Sequence, residues 1–437
     1  MPHIPNDLLH PAAPAAAPPQ APAREALLEH YRRVRAFTET LCEPLETEDY
    51  IVQTMPDVSP AKWHIAHVSW FFETFLLKPN LRGYREIDPL YAYMFNSYYN
   101  AAGPMHCRPR RGTLSRPTVA QCFAYRHHVD RAMERLILGA SDADFAQLAP
   151  IVTLGIHHEQ QHQELLLTDI KNVFTANPMR PVYKAAPERP AAEAIPLRWL
   201  GFEGGIRQIG HAGGGFAYDN ESPRHDALLR DFELANRCVT NGEWMEFMAG
   251  GGYRDPLLWL SAGWATIKET GWDAPYYWEK IDGQWMAMTM NGLRPIDPAR
   301  TVCHVSYFEA DAFARWSGCR LPTEFEWEAA TEGLDPAVGN FVDNLAFEPA
   351  AAPGGPGLRQ AFGNVWEWTM SQYSPYPGYK AAPGALGEYN GKFMCNQFVL
   401  RGGSCATSRS HIRRTYRNFF QPEARWQFTG LRLAKDA

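Results

Sequence analysis

The chain has no apolar run approaching the ~20 consecutive residues that a membrane-spanning helix needs, and it carries no large excess of either charge. Lys and Arg number 42 against 48 Asp and Glu, a net charge of −6 over 437 residues. That lacks the electrostatic footprint of a nucleic-acid or anionic-membrane binder, so neither is expected as a partner. The eight cysteines form no C-x-x-C pair and no regular spacing, which argues against a disulfide framework. Buried, reduced thiols in a cytoplasmic protein are expected instead. Residues 1–22 are rich in Ala and Pro and have neither the basic start nor the apolar run of a secretory signal; they read as a disordered tail. No internal repeat is visible.

Large aromatic side chains are plentiful. Fourteen Trp and 19 Tyr favour a loop-rich fold in which they serve as packing and pocket walls. With 45% hydrophobic and 21% charged residues, a chain of this length makes two or three globular domains. Residues 23–177 carry a helical pattern. Ser59-Pro60 reads as an N-cap and first turn opening SPAKWHIAHVSWFFETFLL. A further helix is expected after Arg116-Pro117, and another over roughly 143–176. With a less regular insertion at 80–115, these predict an antiparallel four-helix bundle, a scaffold that commonly places metal sites on facing helices. A proline-rich linker follows at 178–196. From 197 to 437 the pattern changes to short strands, glycine turns and scattered Trp, giving an α+β chain.

The clearest chemical signal is GIHHEQQHQELLL at 155–167. On a helix, His158 and His162 project from one face, one turn apart, as two ligands of one metal require. H-E-Q-Q-H also satisfies the zinc-peptidase pattern, in which Glu159 would be the general base. A peptidase's third ligand normally lies downstream, however, and downstream here lie a linker and a different domain. W-H-I-A-H upstream supplies His64 and His67. Periodicity alone does not separate them; His67 is preferred, with His64 as fallback. Three neutral imidazoles suit Zn(II), Fe(II) or Cu(II). Tyr98 and Tyr99, in the irregular insertion, offer a phenol that could deliver a proton or hydrogen atom. His127, His128 and His157 read as structural or exposed. Cys107 and Cys405 flank basic stretches but have no His–Asp arrangement that would make them nucleophiles.

W-H-I-A-H, H-H-E-Q-Q-H-Q-E, G-N-V-W-E-W-T and R-G-G-S, in that order, resemble the ergothioneine-biosynthesis sulfoxide synthases. The resemblance implies a DinB-like helical bundle followed by a formylglycine-generating-enzyme-like domain related to C-type lectins. It implies an Fe(II) site at His67, His158 and His162 between the domains, with O2 as co-substrate. Hercynine (N-α-trimethylhistidine) and a thiol would be joined by a C–S bond at imidazole C2, with oxidation of the sulfur. Gln161 and Asn418 would hold hercynine through amide hydrogen bonds, with Phe419 and Trp366 as walls for the trimethylammonium.

Departures from the family patterns refine this. The two cysteines that formylglycine-generating enzymes carry after R-G-G-S fall here on Thr407 and Ile412, so that chemistry is not expected. The subgroup using γ-glutamylcysteine has an Asp near the thiol; Arg417-Asn418-Phe419-Phe420 offers none, leaving Phe420 on that side of the substrate site. F-N-S-Y-Y at 95–99 instead resembles the cysteine-using subgroup, implying catalytic roles for the pair Tyr98 and Tyr99, Tyr98 being preferred. Arg82, Arg85, Arg108 and Arg110 are candidate partners for an amino-acid carboxylate, and Asn100 would suit an amino acid or a sugar. Related selenoneine-forming enzymes join hercynine to a selenosugar, so the donor stays open between a thiol and a selenosugar. A zinc peptidase is the more remote alternative, and a lectin-like binding module the non-catalytic one.

Overall fold

The computed structural model describes residues 24–187 and 192–437. The expected tail at 1–22, and 188–191 of the expected linker, lie outside the described residues.

Helix α1 (Arg24–Cys42) buries Leu27, Leu28, Tyr31, Val34, Thr38 and Leu41, a stripe at three- and four-residue spacing that faces the bundle. Helix α2 (Ala61–Phe72) is apolar nearly all round, and every one of its residues is buried. It runs on through a π-helical turn at Glu73–Leu77. Its N-cap is Pro60 with no side-chain cap; the Ser59 hydroxyl accepts from Arg111 Nη1 at 2.9 Å instead. Helix α3 (Val119–Gly139) opens with a reciprocal capping box between Thr118 and Gln121. Ser141 caps α4 (Asp142–Ala176), whose 35 residues span about 50 Å.

Gly155 sets how α2 and α4 meet. A Cβ there would lie 2.5 Å from the Phe72 ring and 2.9 Å from that of Phe71. Only glycine allows this approach, and it brings the next turn of α4, with His158, against His67 on α2.

The second domain is built from short strands and loops around a four-stranded sheet, ordered Asn418–Phe420, Phe398–Arg401, Trp366–Gln372 and Thr429–Gly430. The first two pairings are antiparallel and the last is parallel. At the end of Phe398–Arg401 the chain turns sharply through Gly402 (φ +95°) and Gly403 (φ +84°). Both sit in the left-handed region that favours glycine, and a Cβ on Gly402 would come within 2.4 Å of the Ala361 carbonyl oxygen. This turn delivers residues 404–416 onto α4.

Helix α4 therefore belongs to both domains. One side packs in the bundle; the other reaches the second domain through Gln160 to Ser408 and Ser410, Glu164 to Ser404 and Thr407, and Lys171 to His304. The eight cysteines form no disulfide. Among the described residues no helix is long and apolar enough to cross a membrane.

A candidate metal centre between the domains

His67 on α2 and His158 on α4 are buried and His162 on α4 is half-buried, and their ligand nitrogens lie within 4.8 Å of one another. His67 Nδ1 donates to the Phe95 carbonyl oxygen at 2.6 Å. A carbonyl only accepts, so the proton sits on Nδ1 and His67 Nε2 is bare. That nitrogen lies 3.2 Å from His158 Nε2, the separation of two nitrogens bound to one metal at roughly 2.1 Å each. His158 Nδ1 has no partner, although it is buried. His162 Nδ1 is engaged by His64 Nδ1 at 2.9 Å, which leaves Nε2 for a metal. Burial depresses all three imidazole pKa values, that of His158 to about 3, and the neighbouring imidazoles push His67 and His162 the same way. Neutral imidazoles with bare nitrogens are the form a metal requires. The donor set fits a divalent transition metal, and His67 rather than His64 completes it.

Glu159 does not face this centre. It is fully buried on the bundle side, with Oε2 accepting from Arg35 at 2.9 Å and Oε1 from Arg126 at 2.6 Å and Thr38 at 2.7 Å. Burial alone would raise its pKa, but Arg126, Arg35 and the Thr38 hydroxyl draw it down to about 2. A carboxylate locked by two guanidinium groups takes no proton from a metal-bound water, so the H-E-x-x-H match carries no peptidase chemistry.

His158 and His162 open on a cavity of about 270 Å³ with walls from both domains, and His67 lies fully buried behind them. Tyr98, Gln161, Trp366, Asn418, Phe419 and Phe420 line it, as do Arg108 and Arg111. Arg82 and Arg85 do not: both side chains are exposed and outside the lining, and Arg110 is likewise exposed. The Arg111 guanidinium stacks 3.3 Å over the Trp63 ring and donates only to the hydroxyls of Ser59 and Ser97, with Nε buried and unpartnered. No carboxylate forms an ion pair with it among the described residues, although Asp169 nearby favours its charge. Burial and Arg108 both work against its charge, an imbalance that an incoming anion would relieve.

Tyr98 and Tyr99 differ. Their rings stack at 4.6 Å, but Tyr99 is completely buried and is absent from the cavity wall. Burial raises both phenol pKa values, so each keeps its proton at neutral pH. Gln161 is held at both ends of its amide: Nε2 donates to Tyr416 Oη at 2.6 Å, and Tyr389 Oη donates to Oε1. Tyr389, Tyr416 and Tyr218 are cavity residues that no sequence motif marked.

Neither of the two places that formylglycine-generating enzymes give to cysteine after R-G-G-S holds a thiol here. Thr407 Oγ1 donates to Glu164 at 2.7 Å, and Ile412 is buried against Gly403. Cys405 is buried with its pKa pushed well up by that burial.

The chain matches the DinB superfamily over 30–166 and the sulfatase-modifying factor enzyme 1-like domain over 198–352 and 346–437. It is 33% identical to the hercynine oxygenase of Mycobacterium tuberculosis, covering 94% of this chain and 99% of the relative. The chain belongs to the hercynine oxygenase family. The enzyme of that name from Mycolicibacterium thermoresistibile is also 33% identical, over 87% of this chain and 88% of its own. The formylglycine-generating enzyme of Streptomyces coelicolor is 30% identical over 54% of this chain and 88% of the relative, a likeness of the second domain. An N-terminal helical DinB domain followed by a mixed α/β domain, with the histidine triad between them, is thus the architecture of this hercynine oxygenase family member.

Proposed function

We propose that the protein is an Fe(II)- and O2-dependent enzyme that joins a sulfur donor to C2 of the hercynine imidazole, with oxidation of the sulfur, in ergothioneine biosynthesis. The observation that carries this is the bare Nε2 of His67 set 3.2 Å from His158 Nε2, directly behind an interdomain cavity that His158 and His162 line, in a chain collinear with hercynine oxygenases.

Iron bound by His67, His158 and His162 would supply activation of O2. The chain's own residues do the rest. Gln161 and Asn418 present amide donors and acceptors to a neutral imidazole and a carboxylate. Trp366, Phe419 and Phe420 offer ring faces to a quaternary ammonium. Phe419 is fixed for this by stacking on Tyr373 at 4.0 Å. Tyr98, the one of the pair that lines the cavity, keeps the phenolic proton that it would deliver to the reacting oxygen. Arg108 and Arg111 favour a donor bearing a carboxylate, which supports cysteine over a selenosugar.

The deciding experiment is anaerobic reconstitution with Fe(II), followed by O2 uptake with hercynine plus cysteine, γ-glutamylcysteine or a selenosugar, and mass analysis of the product. Hercynine- and cysteine-dependent uptake yielding a sulfoxide adduct is expected. Uptake only with the selenosugar would move the assignment to selenoneine formation, and no hercynine-dependent uptake with any donor would end the reading.

A further inference from the structure

His64, the histidine of W-H-I-A-H that is not a metal ligand, lies in a chain of hydrogen bonds ending on a ligand. Asp169 Oδ2 accepts from the Ser59 backbone N–H at 2.8 Å and sits 2.9 Å from His64 Nε2. His64 Nδ1 lies 2.9 Å from His162 Nδ1. His64 and Asp169 are 3% and 4% exposed, while His162 is half-buried at the cavity wall. Trp63 closes the neighbouring side, edge-on to His64 at 5.7 Å and flat on His67 at 4.5 Å.

The direction of every bond follows from the Asp169 end. A carboxylate only accepts, so His64 donates from Nε2. A neutral His64 then has a bare Nδ1, which must accept from His162 Nδ1–H. A neutral His162 with its proton on Nδ1 has its bare nitrogen at Nε2, facing His67 and His158. We propose that Asp169 and His64 are positioning residues that fix the tautomer and ring orientation of His162 for metal binding, as the Phe95 carbonyl does for His67. Without this relay His162 is free to place its proton on Nε2, which blocks the third ligand. Such partners are typically worth 10–100-fold in metal affinity.

The inference rests on the metal-centre reading. A wild-type protein that binds no divalent metal would sink that reading; the relay has its own failures. Zn(II) affinity measured by competition with a chromophoric chelator is expected to fall at least tenfold in His64→Phe. His64→Gln, whose amide oxygen can still accept from His162 Nδ1, should recover most of it. Circular dichroism is expected to show both variants folded. A His64→Phe protein as tight as wild type overturns the relay, and so does a His64→Gln protein as loose as His64→Phe. Wild-type protein labelled with 15N-histidine and loaded with Zn(II) tests the same point without a substitution. Long-range 1H–15N correlation should find His64 protonated on Nε2 and His162 on Nδ1; a His64 protonated on Nδ1 overturns the relay.

Discussion

Thr407 Oγ1 donates to Glu164 Oε2 at 2.7 Å, across the boundary between the bundle and the second domain. The same carboxylate accepts from Ser404 Oγ at 2.5 Å and Trp366 Nε1 at 2.8 Å. One helical side chain thus anchors the turn after R-G-G-S and the first residue of a central strand. Thr407, at a place where the resemblance to formylglycine-generating enzymes implies a cysteine, here helps hold the domains together. Glu164→Ala leaves three buried donors unpartnered. It is expected to cost about 3 kcal/mol of stability in chemical denaturation, against about 1 kcal/mol for Thr407→Val, which removes a single donor.

Glu159, one residue from a ligand, should behave as a structural group. Its folded-state pKa of about 2 lies below the ordinary carboxylate value of 4.5. A depressed carboxylate pKa stabilises the fold above the unfolded value, and that stabilisation is lost as pH falls from about 4.5 towards 2. It amounts to about 3 kcal/mol. Glu159→Gln should keep its metal at neutral pH, have a lower melting temperature, and lose less further stability on acidification. A Glu159→Gln protein with wild-type stability and no metal would contradict this division of roles.

His158 is the proposed ligand with the fewest other duties, since its Nδ1 bonds to nothing. His158→Ala is expected to fold normally, retain no iron by metal analysis, and consume no O2 with hercynine. Full iron occupancy in that variant would remove His158 from the ligand set.

For Tyr98, replacement by Phe keeps the ring that stacks on Tyr99 and removes only the hydroxyl. Substrate affinity should persist while turnover falls at least tenfold or diverts to another oxidised product. Tyr99→Phe, altering a hydroxyl outside the cavity, should change far less. Unchanged rate and product distribution in Tyr98→Phe would exclude the phenol from the chemistry.

The parts of this site legible in the sequence were those encoded by local spacing. His158 and His162 declare themselves because four residues make one helical turn, and α2 and α4 follow from apolar periodicity and their flanking residues. The sequence reading already prefers His67 over His64, a choice that the motif resemblance also implies, but its physical reason, the Phe95 carbonyl that bares His67 Nε2 beside His158, is carried by no periodicity. On the proposed reading both histidines serve the centre, one as ligand and the other behind His162. Tyr389 and Tyr416 reach Gln161 from 228 and 255 residues away, on loops with no motif. Arg82 and Arg85 look like Arg108 and Arg111 in sequence; only the path of the insertion decides which pair enters the cavity.

That path makes Arg111 the sharpest test of the donor. Its guanidinium is buried, stacked on Trp63, bonded to two serine hydroxyls, and in no direct ion pair among the described residues. A bound carboxylate would complete the set through charge-assisted bonds. Arg111→Met keeps the contact with Trp63 but cannot pair with an anion. The KM for cysteine should rise at least tenfold, equivalent to about 1.4 kcal/mol, while the KM for hercynine changes little and iron content is unaltered. Arg82→Met and Arg85→Met should leave both constants near wild type, because those side chains face solvent. Equal effects on hercynine and cysteine would place Arg111 in the support of the metal site through Trp63 and His67, and would return the carboxylate to Arg108 alone.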